Sequence, residues 1–334
     1  MKIYDVAFLG MGASALATAK LKYKGTSISL IGIDKNYHSK RNNFFAFWLT
    51  DWMKDFDSLA QKKWFCWNFY LTNNHIKHET KDLPYCTIRY QDWKNYCLKG
   101  LENLSIKEFN VQSITNLKKY YEIKLENGEE IFAKKIYDSR TPKLENEKVK
   151  QHFFGYLIET KQMINSNSVT LMDFRVEQKM GLHFMYCLPI DENRMLVEST
   201  VFSSEIQEDD WYQKQILEYI ETKLNLSEYK IVDEEKGALP MYDIENKSSE
   251  NYINIGSRGG ATKISTGYAF SFFLKNIMLN FENIDKAHHS YFDKWMDKVF
   301  VNYLKNNSGT EKVFINMAYS LNGNEFGSFM MGVA

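Results

Sequence analysis

Apolar and polar residues alternate with a period of about two in the middle of the chain, between Val169 and Ser203. The first run, VTLMDFRV, alternates, the second, LHFMYCLPI, is almost entirely apolar, and the third, MLVESTVF, alternates again. Such runs are typical of β-strands. Residues 191–194 (Asp-Glu-Asn-Arg) separate the last two runs and predict a turn, so these runs form a hairpin with Glu198 in the middle of its second strand.

Glu198 is a candidate acid, because its neighbours along the strand are mostly apolar. Burial disfavours the carboxylate and raises the pKa of a carboxyl group, so a buried Glu198 stays protonated near neutral pH and can donate a proton. The alternative is that Glu198 lies on the solvated face of the hairpin. The residues alone favour this alternative, since acidic side chains are seldom buried without a partner.

The start of the chain predicts a strand, a tight turn and a helix. Ile3–Leu9 is apolar, and the G-x-G-x-x-A pattern that follows lets a pyrophosphate approach the backbone at the positive end of a helix. A second strand, Ile28–Ile33, ends at Asp34, about 20 residues further on, where a ribose-binding acid is expected. The sequence therefore predicts dinucleotide binding by Gly10, Gly12, Ala13, Ser14, Ala15, Asp34 and Lys35.

The pattern of a strand, a glycine turn and a helix recurs late in the chain. Tyr252–Ile255 precedes a turn that contains Gly256, Gly259 and Gly260, and residues 268–279 (YAFSFFLKNIML) predict a helix. The adjacent glycines allow a close backbone approach to a ligand.

The remaining elements follow from periodicity and turn residues. Residues 64–71 (WFCWNFYL) predict one buried strand, and residues 84–90 predict a strand that leads into a helix with Asp92 as its N-cap. Asn127-Gly128 predicts a hairpin turn. Further strands are predicted at 109–111, 114–117, 121–125, 130–133, 150–165 and 235–241, and helices at 205–224, 291–304 and within 313–334.

Composition is that of a globular protein. Of the 334 residues 44% are apolar and 15% aromatic, and the aromatic side chains either line a long apolar pocket or fill a core. Lysine plus arginine and aspartate plus glutamate each number 42, so the net charge is zero and the pattern excludes a nucleic-acid partner.

The four cysteines have no C-x-x-C pair or metal-ligand spacing, so no zinc site is predicted and reduced thiols of a cytoplasmic protein are expected. No run approaches the roughly 18 apolar residues of a membrane span, and the first residues are not those of a leader peptide. We therefore expect a cytoplasmic protein that is at most peripheral to a membrane.

Several segments resemble the lycopene cyclase family of flavin-containing isoprenoid cyclases. In the central stretch the matching residues are Thr170-Leu171-Met172-Asp173, Arg175, Gln178, Leu188-Pro189, Asn193-Arg194 and Val197-Glu198-Ser199-Thr200. The other matching segments are residues 40–48, 138–142, 151–159, 235–241 and 256–268. The resemblance is densest from Tyr137 to Tyr268.

The resemblance implies that Glu198 is the catalytic acid. Many members have a second acidic residue next to it, where this chain has Ser199, which removes a partner but leaves the acid. His152 and Glu159 lie in another matching segment and either handle protons or serve the structure, and for His152 the structural role is favoured.

The resemblance also implies FAD rather than NAD, in its reduced form, with NAD(P)H as the reductant. Arg41 would then contact the cofactor, and the alternative is that it belongs to a basic turn. Asp138 would place its segment beside the flavin, and the alternative is that it only holds a turn. Besides the residues of the first turn, the expected cofactor contacts are Arg41, Asp138, Arg140, Gly256, Gly259, Gly260 and Thr262.

The implied fold class is α/β, with a Rossmann-like, glutathione-reductase-like FAD-binding domain interleaved with a mixed-sheet substrate domain. The expected FAD-binding domain comprises residues 1–50, 81–149 and 236–290, and the substrate domain residues 51–80, 150–235 and 291–334.

The implied activity is non-redox, acid-catalysed cyclisation of lycopene or a related polyene. The alternatives are a flavin-dependent prenyl reductase or monooxygenase, or a flavin-binding protein without catalysis. An apolar polyene substrate implies peripheral membrane contact, although no basic amphipathic helix stands out in the sequence. Family members usually have several tens more residues at the C-terminal end, which leaves the lid of the substrate pocket and the substrate itself open.

Overall fold

The computed structural model describes residues 2–39, 41–279 and 288–332. Of the residues used above, Lys40, residues 280–287, Val333 and Ala334 lie outside this description. The strands in chain order are β1 (Ile3–Leu9), β2 (Leu30–Ile33), β3 (Phe44–Trp48), β4 (Lys62–Trp64), β5 (Cys66–Leu71), β6 (Asn74–Glu79), β7 (Tyr85–Arg89), β8 (Leu104–Lys107), β9 (Val111–Asn116), β10 (Tyr121–Leu125), β11 (Glu130–Asp138), β12 (Lys150–Thr160), β13 (Val169–Asp173), β14 (Leu182–Pro189), β15 (Arg194–Ser203), β16 (Tyr229–Pro240) and β17 (Tyr252–Asn254). The α-helices are α1 (Ala13–Tyr23), α2 (Tyr90–Leu98), α3 (Asp209–Thr222), α4 (Phe270–Leu279), α5 (Tyr291–Asn306), α6 (Glu311–Ser320) and α7 (Gly323–Met330).

One sheet has the parallel β1-α1-β2 arrangement that the first residues predict. Its order is β8-β2-β1-β11-β10-β9, and β17 also pairs with β11. β8, β2, β1, β11 and β17 run parallel, whereas β10 runs antiparallel to both of its neighbours, β11 and β9. β1 and β2 are buried along most of their length because helices pack on this sheet. The parallel part therefore places the ends of β1, β2, β11 and β17 at one edge.

The second large sheet contains the central hairpin. Its order is β16-β12-β15-β14-β13-β5-β6. On β14 and β15 odd-numbered residues such as Met185 and Val197 pack in a cluster with α3, while even-numbered residues such as Phe184 and Leu196 face the opposite side. A third sheet, in the order β3-β7-β4, completes the mixed architecture.

Three local predictions are wrong. The predicted single strand at residues 64–71 is two strands, β4 and β5, which belong to different sheets and are separated at the exposed Phe65. Helix α2 begins at Tyr90, so Asp92 lies within its first turn instead of capping it. The strands predicted at 109–111 and 114–117 are the single strand β9, and β8, which pairs with β2, was not predicted.

Helix α5 has an exposed apolar side that the sequence analysis did not single out. Its exposed large side chains are Tyr291, Phe292, Trp295, Met296, Val299 and Tyr303. In the ranges that the structure describes, no helix has the length and apolar character needed to cross a membrane.

Candidate functional site

A cavity of about 830 Å³ connects the two large sheets. At one end it reaches the turn that precedes α1, and at the other it reaches the face of the second sheet that points away from α3. The predicted site residues that line it together are Gly12, Ala13, Ser14, Arg41, Glu198 and Gly256. The fold thus brings the predicted acid and part of the predicted cofactor site to one space.

The turn between β1 and α1 needs glycine for two different reasons. Gly10 has φ of +78°, and a Cβ there would lie 3.2 Å from the backbone nitrogen of Arg140. A Cβ on Gly12 would meet no atom within 4 Å, so the space in front of this residue is open. Gly12 is the N-cap of α1 and Ala15 is fully buried in the first turn of that helix. The open space beside a helix N-terminus suits an anionic group.

Asp34 stands at the end of β2, beside this turn. Its carboxylate accepts hydrogen bonds from the N–H of Met11 and the N–H of Asn36, both at 2.9 Å. Arg41 forms an ion pair with it at 3.3 Å. Asp34 therefore fixes the turn and places Arg41 in the cavity wall, whereas Lys35 is exposed and lies outside the lining.

Asp138 holds the end of β11 from within the protein. Its fully buried carboxylate accepts from Arg140 Nη2 and from Tyr252 Oη, both at 2.7 Å, and pairs with Arg258 at 3.1 Å. Burial would raise the pKa of Asp138, but Arg140, Tyr252 and Arg258 together outweigh burial and hold this pKa below its usual value. Asp138 and Arg140 lie outside the cavity lining, while Ser139 between them is part of it.

The second glycine turn approaches α1 closely. Gly256 has φ of +61°, and a Cβ there would lie 2.4 Å from Ser14 Oγ. Gly259, Gly260 and Thr262 face a separate cavity of about 270 Å³, which His288 and His289 also line. The structure therefore divides the predicted residues of this turn between two cavities.

The face of the second sheet that lines the main cavity carries a pair of carboxyl groups. Glu198 on β15 is paired in register with Gly155 on β12, and Gly155 is paired in turn with Glu235 on β16. Because Gly155 has no side chain, the carboxyls of Glu198 and Glu235 meet across it and form a hydrogen bond. Thr200 Oγ1 donates to Glu198 Oε1 at 2.5 Å, and the N–H of Phe44 donates to Glu235 Oε2 at 3.4 Å.

The two carboxyls differ in their affinity for a proton. Burial, followed by the charge of Glu235, raises the pKa of Glu198 well above its usual range. Burial also raises the pKa of Glu235, to about 7, although the N–H of Phe44 acts in the opposite direction. Their mutual hydrogen bond raises the pKa of Glu198 and lowers that of Glu235, so a single shared proton resides on Glu198.

Glu235 is the functional candidate that the sequence analysis missed. It lies 37 positions after Glu198 and two strands away, so no local pattern relates the two residues. The available signal was Gly155 between Phe154 and Tyr156 in the interior of a strand, since such a glycine marks a close approach of neighbouring groups. Ser199 lies on the other face of β15, where its Oγ contacts His183 Nε2 at 2.9 Å. A residue at that position cannot reach Glu198 across the cavity, because neighbouring strand residues point to opposite faces.

The remaining wall of the cavity is largely aromatic. Phe184, Tyr186 and Phe202 extend from β14 and β15, and Tyr268 and Phe270 lie opposite. Tyr85 Oη lies 2.6 Å from Tyr186 Oη and 3.0 Å from Tyr268 Oη, so these hydroxyls satisfy one another. The aromatic richness of the chain therefore serves a pocket as well as the core.

Two buried polar atoms of the lining are left without a partner among the described residues. They are Gln151 Oε1 and Thr266 Oγ1. Since buried polar atoms are normally hydrogen-bonded, these two atoms point to a polar ligand in this part of the cavity. His152 and Glu159, by contrast, take no part in the cavity: His152 is buried against Tyr212 and Ser203, and Glu159 is exposed.

The fold is shared with flavin-dependent enzymes of low sequence identity. A geranylgeranyl bacteriochlorophyll reductase-like protein from Thermoplasma acidophilum has a TM-score of 0.66 at 10% identity, covering 99% of this chain and 90% of that one. A Klebsiella pneumoniae HpxO variant in complex with FAD has a TM-score of 0.65 at 9% identity, covering 99% and 98%. A flavin-dependent brominase has a TM-score of 0.63 at 14% identity, covering 99% of this chain and 94% of that one. The predicted α/β fold with a Rossmann-like domain is therefore confirmed.

The sequence comparisons define the family. A family model described as lycopene cyclase protein matches residues 5–290, so the chain belongs to the lycopene cyclase family. Chloroplastic neoxanthin synthase from Solanum tuberosum is 23% identical over an alignment of 298 residues, which covers 79% of this chain and 57% of that protein. Lycopene beta-cyclase from Pseudescherichia vulneris is 28% identical over 155 residues, 44% and 40% of the two chains. This chain thus spans about half the length of these curated relatives, and its family indicates an enzyme.

Proposed function

We propose that this protein is an FAD-dependent cyclase that closes a ring at the end of an acyclic isoprenoid polyene, lycopene or a related one, without net redox change. The observation that carries the proposal is Glu198: a carboxyl whose pKa is raised by burial stands in an aromatic cavity that also reaches the glycine turn of α1. An acid that keeps its proton at neutral pH is what protonation of an alkene requires.

The cofactor site follows from the same cavity. The open space beside Gly12 and the N-terminus of α1 suits the pyrophosphate, and the unpartnered atoms of Gln151 and Thr266 suit polar ring edges. Gly256, packed on Ser14, keeps this end of the cavity narrow. When bound and reduced by NAD(P)H, the flavin supplies an anionic ring that stabilises positive charge nearby.

The chemistry that the chain's own residues perform begins at Glu198. Its carboxyl transfers a proton to the terminal double bond of the polyene, forming a C–H bond and leaving a tertiary carbocation. The next double bond attacks that cation and closes the ring. Tyr186, Phe202 and Tyr268 present aromatic rings to the cavity, which attract the cation and exclude water that would trap it. Loss of a proton from the ring then gives an isomer of the substrate.

We also propose that the protein binds the surface of a membrane, because a polyene of this size is dissolved in lipid. Trp295 and Tyr303 on the exposed side of α5 are residues that favour the headgroup level of a bilayer. Lys305 in the last turn of the same helix complements anionic lipid. Wild type should float with phosphatidylserine liposomes, and a Phe292→Ser and Trp295→Ser double variant should not. Equal flotation of both would overturn this assignment.

The test of the proposed function is an anaerobic incubation of the protein with NADPH and lycopene in liposomes, beside Glu198→Gln. Ring formation by wild type, with a loss of about 10²–10⁴-fold in the variant and the same flavin spectrum in both, supports the acid-catalysed cyclase. Consumption of NADPH in air while lycopene stays acyclic would support the alternative, a flavin-dependent reductase or monooxygenase on the same fold.

A further inference from the structure

We propose that Glu235 is the base of the reaction, which removes the proton from the cyclised cation and returns it to Glu198. This inference rests on the proposed function and deepens it, because ring closure needs a base as well as an acid. Glu235 lines the same cavity as Glu198 and belongs to a different strand.

The geometry carries the assignment. Gly155 lies between Glu198 and Glu235 in the register of three neighbouring strands, so both side chains leave the same face of the sheet. A Cβ on Gly155 would lie 3.3 Å from the Cβ of Glu198, which is tight enough to displace that side chain. The chain therefore has glycine at the position where a larger side chain would lie between the two carboxyls.

The hydrogen bonds of the pair distinguish its two members. The N–H of Phe44 points at Glu235 Oε2 and stabilises a carboxylate there. Besides burial, the charge of Asp233 on β16 raises the pKa of Glu235. The neighbouring groups Tyr186 and Cys187 on β14, and Tyr268, carry no positive charge, and the charge of Glu198 adds to burial in raising the pKa of each. Above the pKa of Glu235, about 7, one proton on the two adjacent carboxyls is then the stable state, held by Glu198 and shared with ionised Glu235.

Glu198 and Glu235 together hold the same number of protons before and after one turnover. Glu198 gives its proton to a carbon atom of the polyene, which leaves two carboxylates beside the carbocation and stabilises it. Glu235 takes a proton from a carbon next to the cationic centre as the ring double bond forms. That proton passes through the hydrogen bond between the carboxyls to Glu198, so the pair regains its starting state and no oxidant or reductant is consumed.

The experiment measures single-turnover cyclisation between pH 6 and 9 by the reduced holoenzyme with lycopene in liposomes. The variants are Glu235→Gln, Glu235→Asp and, as a matched control, Glu159→Gln, which changes an exposed carboxyl on the neighbouring strand. Wild type should gain activity through the pKa of Glu235, about 7, because the carboxylate is the active form. Glu235→Gln should lose about 10²–10⁴-fold in rate and the pH-dependent rise, Glu235→Asp should keep the rise, and the control should match wild type.

Infrared spectroscopy of the protein without substrate tests the arrangement independently. At pH 8 wild type and Glu235→Gln should both show the band of a protonated buried carboxyl, and Glu198→Gln should lose it. In Glu235→Gln this carboxyl should titrate at lower pH, because the neighbouring negative charge is gone.

The role of Glu235 as the base is overturned, while the proposed function stands, if wild type and Glu235→Gln cyclise lycopene at rates within tenfold of each other. Persistence of the infrared band in Glu198→Gln would have the same consequence. Absence of ring formation by wild type overturns the proposed function and the base with it.

Discussion

The two faces of the second sheet differ in the partners that they provide for buried polar side chains. On the face covered by α3, Asp173 accepts from Arg175 and from Tyr219 Oη at 2.7 Å, and His183 contacts Ser199 at 2.9 Å and the carbonyl oxygen of Glu177 at 2.8 Å. Each of these groups meets one of complementary charge or hydrogen-bonding character. On the cavity face, Glu198 instead meets a second carboxyl.

This difference indicates that the α3 face of the sheet stabilises the fold, whereas the cavity face carries the groups that transfer protons. Complementary pairs lower the cost of burial and stabilise the fold. When two carboxyls lie side by side, the negative charge of one makes ionisation of the other less favourable. One of them therefore keeps its proton at a pH at which a carboxyl in water would have lost it. The comparison predicts that changes on the cavity face alter proton transfer, while changes on the α3 face alter stability.

The largest effect is expected when the two carboxyls are pushed apart. Gly155→Val places methyl groups against Glu198 and Leu196, each already within 3.4 Å of a Cβ at this position. Displacing a reacting group by about 1 Å can cost about 100-fold in rate, so lycopene cyclisation should fall by at least that factor.

The matched control for Gly155→Val is Ile158→Val, a small change on the α3 face of the same strand. It should cost about 0.5–1.5 kcal/mol of stability and leave the cyclisation rate unchanged. A Gly155→Val protein with the wild-type rate would show that contact between the carboxyls is unnecessary.

A smaller effect, on stability alone, is expected from Asp173→Asn. The neutral amide weakens the bonds to Arg175 and Tyr219, so the free energy of unfolding in urea should fall by about 1–3 kcal/mol. Asp191→Asn, which changes an exposed ion pair with Arg194, should cost less than about 1 kcal/mol. Equal costs for the two variants would contradict the structural role of the α3 face.

The effect that is smallest at neutral pH comes from two buried histidines. Burial lowers the pKa of both His152 and His183 from 6.5 to about 4. Between these values the unfolded chain binds more protons than the folded chain, so stability falls as pH decreases from 6.5 towards 4 and is unaffected by these groups above that window. Each histidine contributes a slope of at most ~1.4 kcal/mol per pH unit.

Urea unfolding at several pH values tests this dependence. His183→Gln should remove about half of the contribution of the two histidines to the slope. An unchanged slope in this variant would show that His183 is not buried in its neutral form.

The sequence predicted those features that depend on neighbouring residues. The glycine turn at Gly10, the hairpin at Asn127-Gly128 and the position of Glu198 within a strand all follow from short patterns, and the structure has each of them. The resemblance pointed to the correct family as well, because its motifs are also short.

The features that were missed depend on pairing between distant segments. An apolar run cannot show that the chain passes from one sheet to another at Phe65, since both strands are buried in the same way. The contact between Glu198 and Glu235 requires the register of β12 with both β15 and β16, and this register is set by tertiary packing.

Acid-catalysed cyclisation is tested most directly by the mass of the product formed from unlabelled lycopene in D₂O under anaerobic conditions with reduced flavin. Protonation by Glu198 and loss of another proton from the ring predict that each ring gains one deuterium and loses one hydrogen, so that in H₂O the product has the same mass as the substrate. A product that is heavier than the substrate by two hydrogens in H₂O would contradict the account, because it would show reduction of the polyene instead of cyclisation.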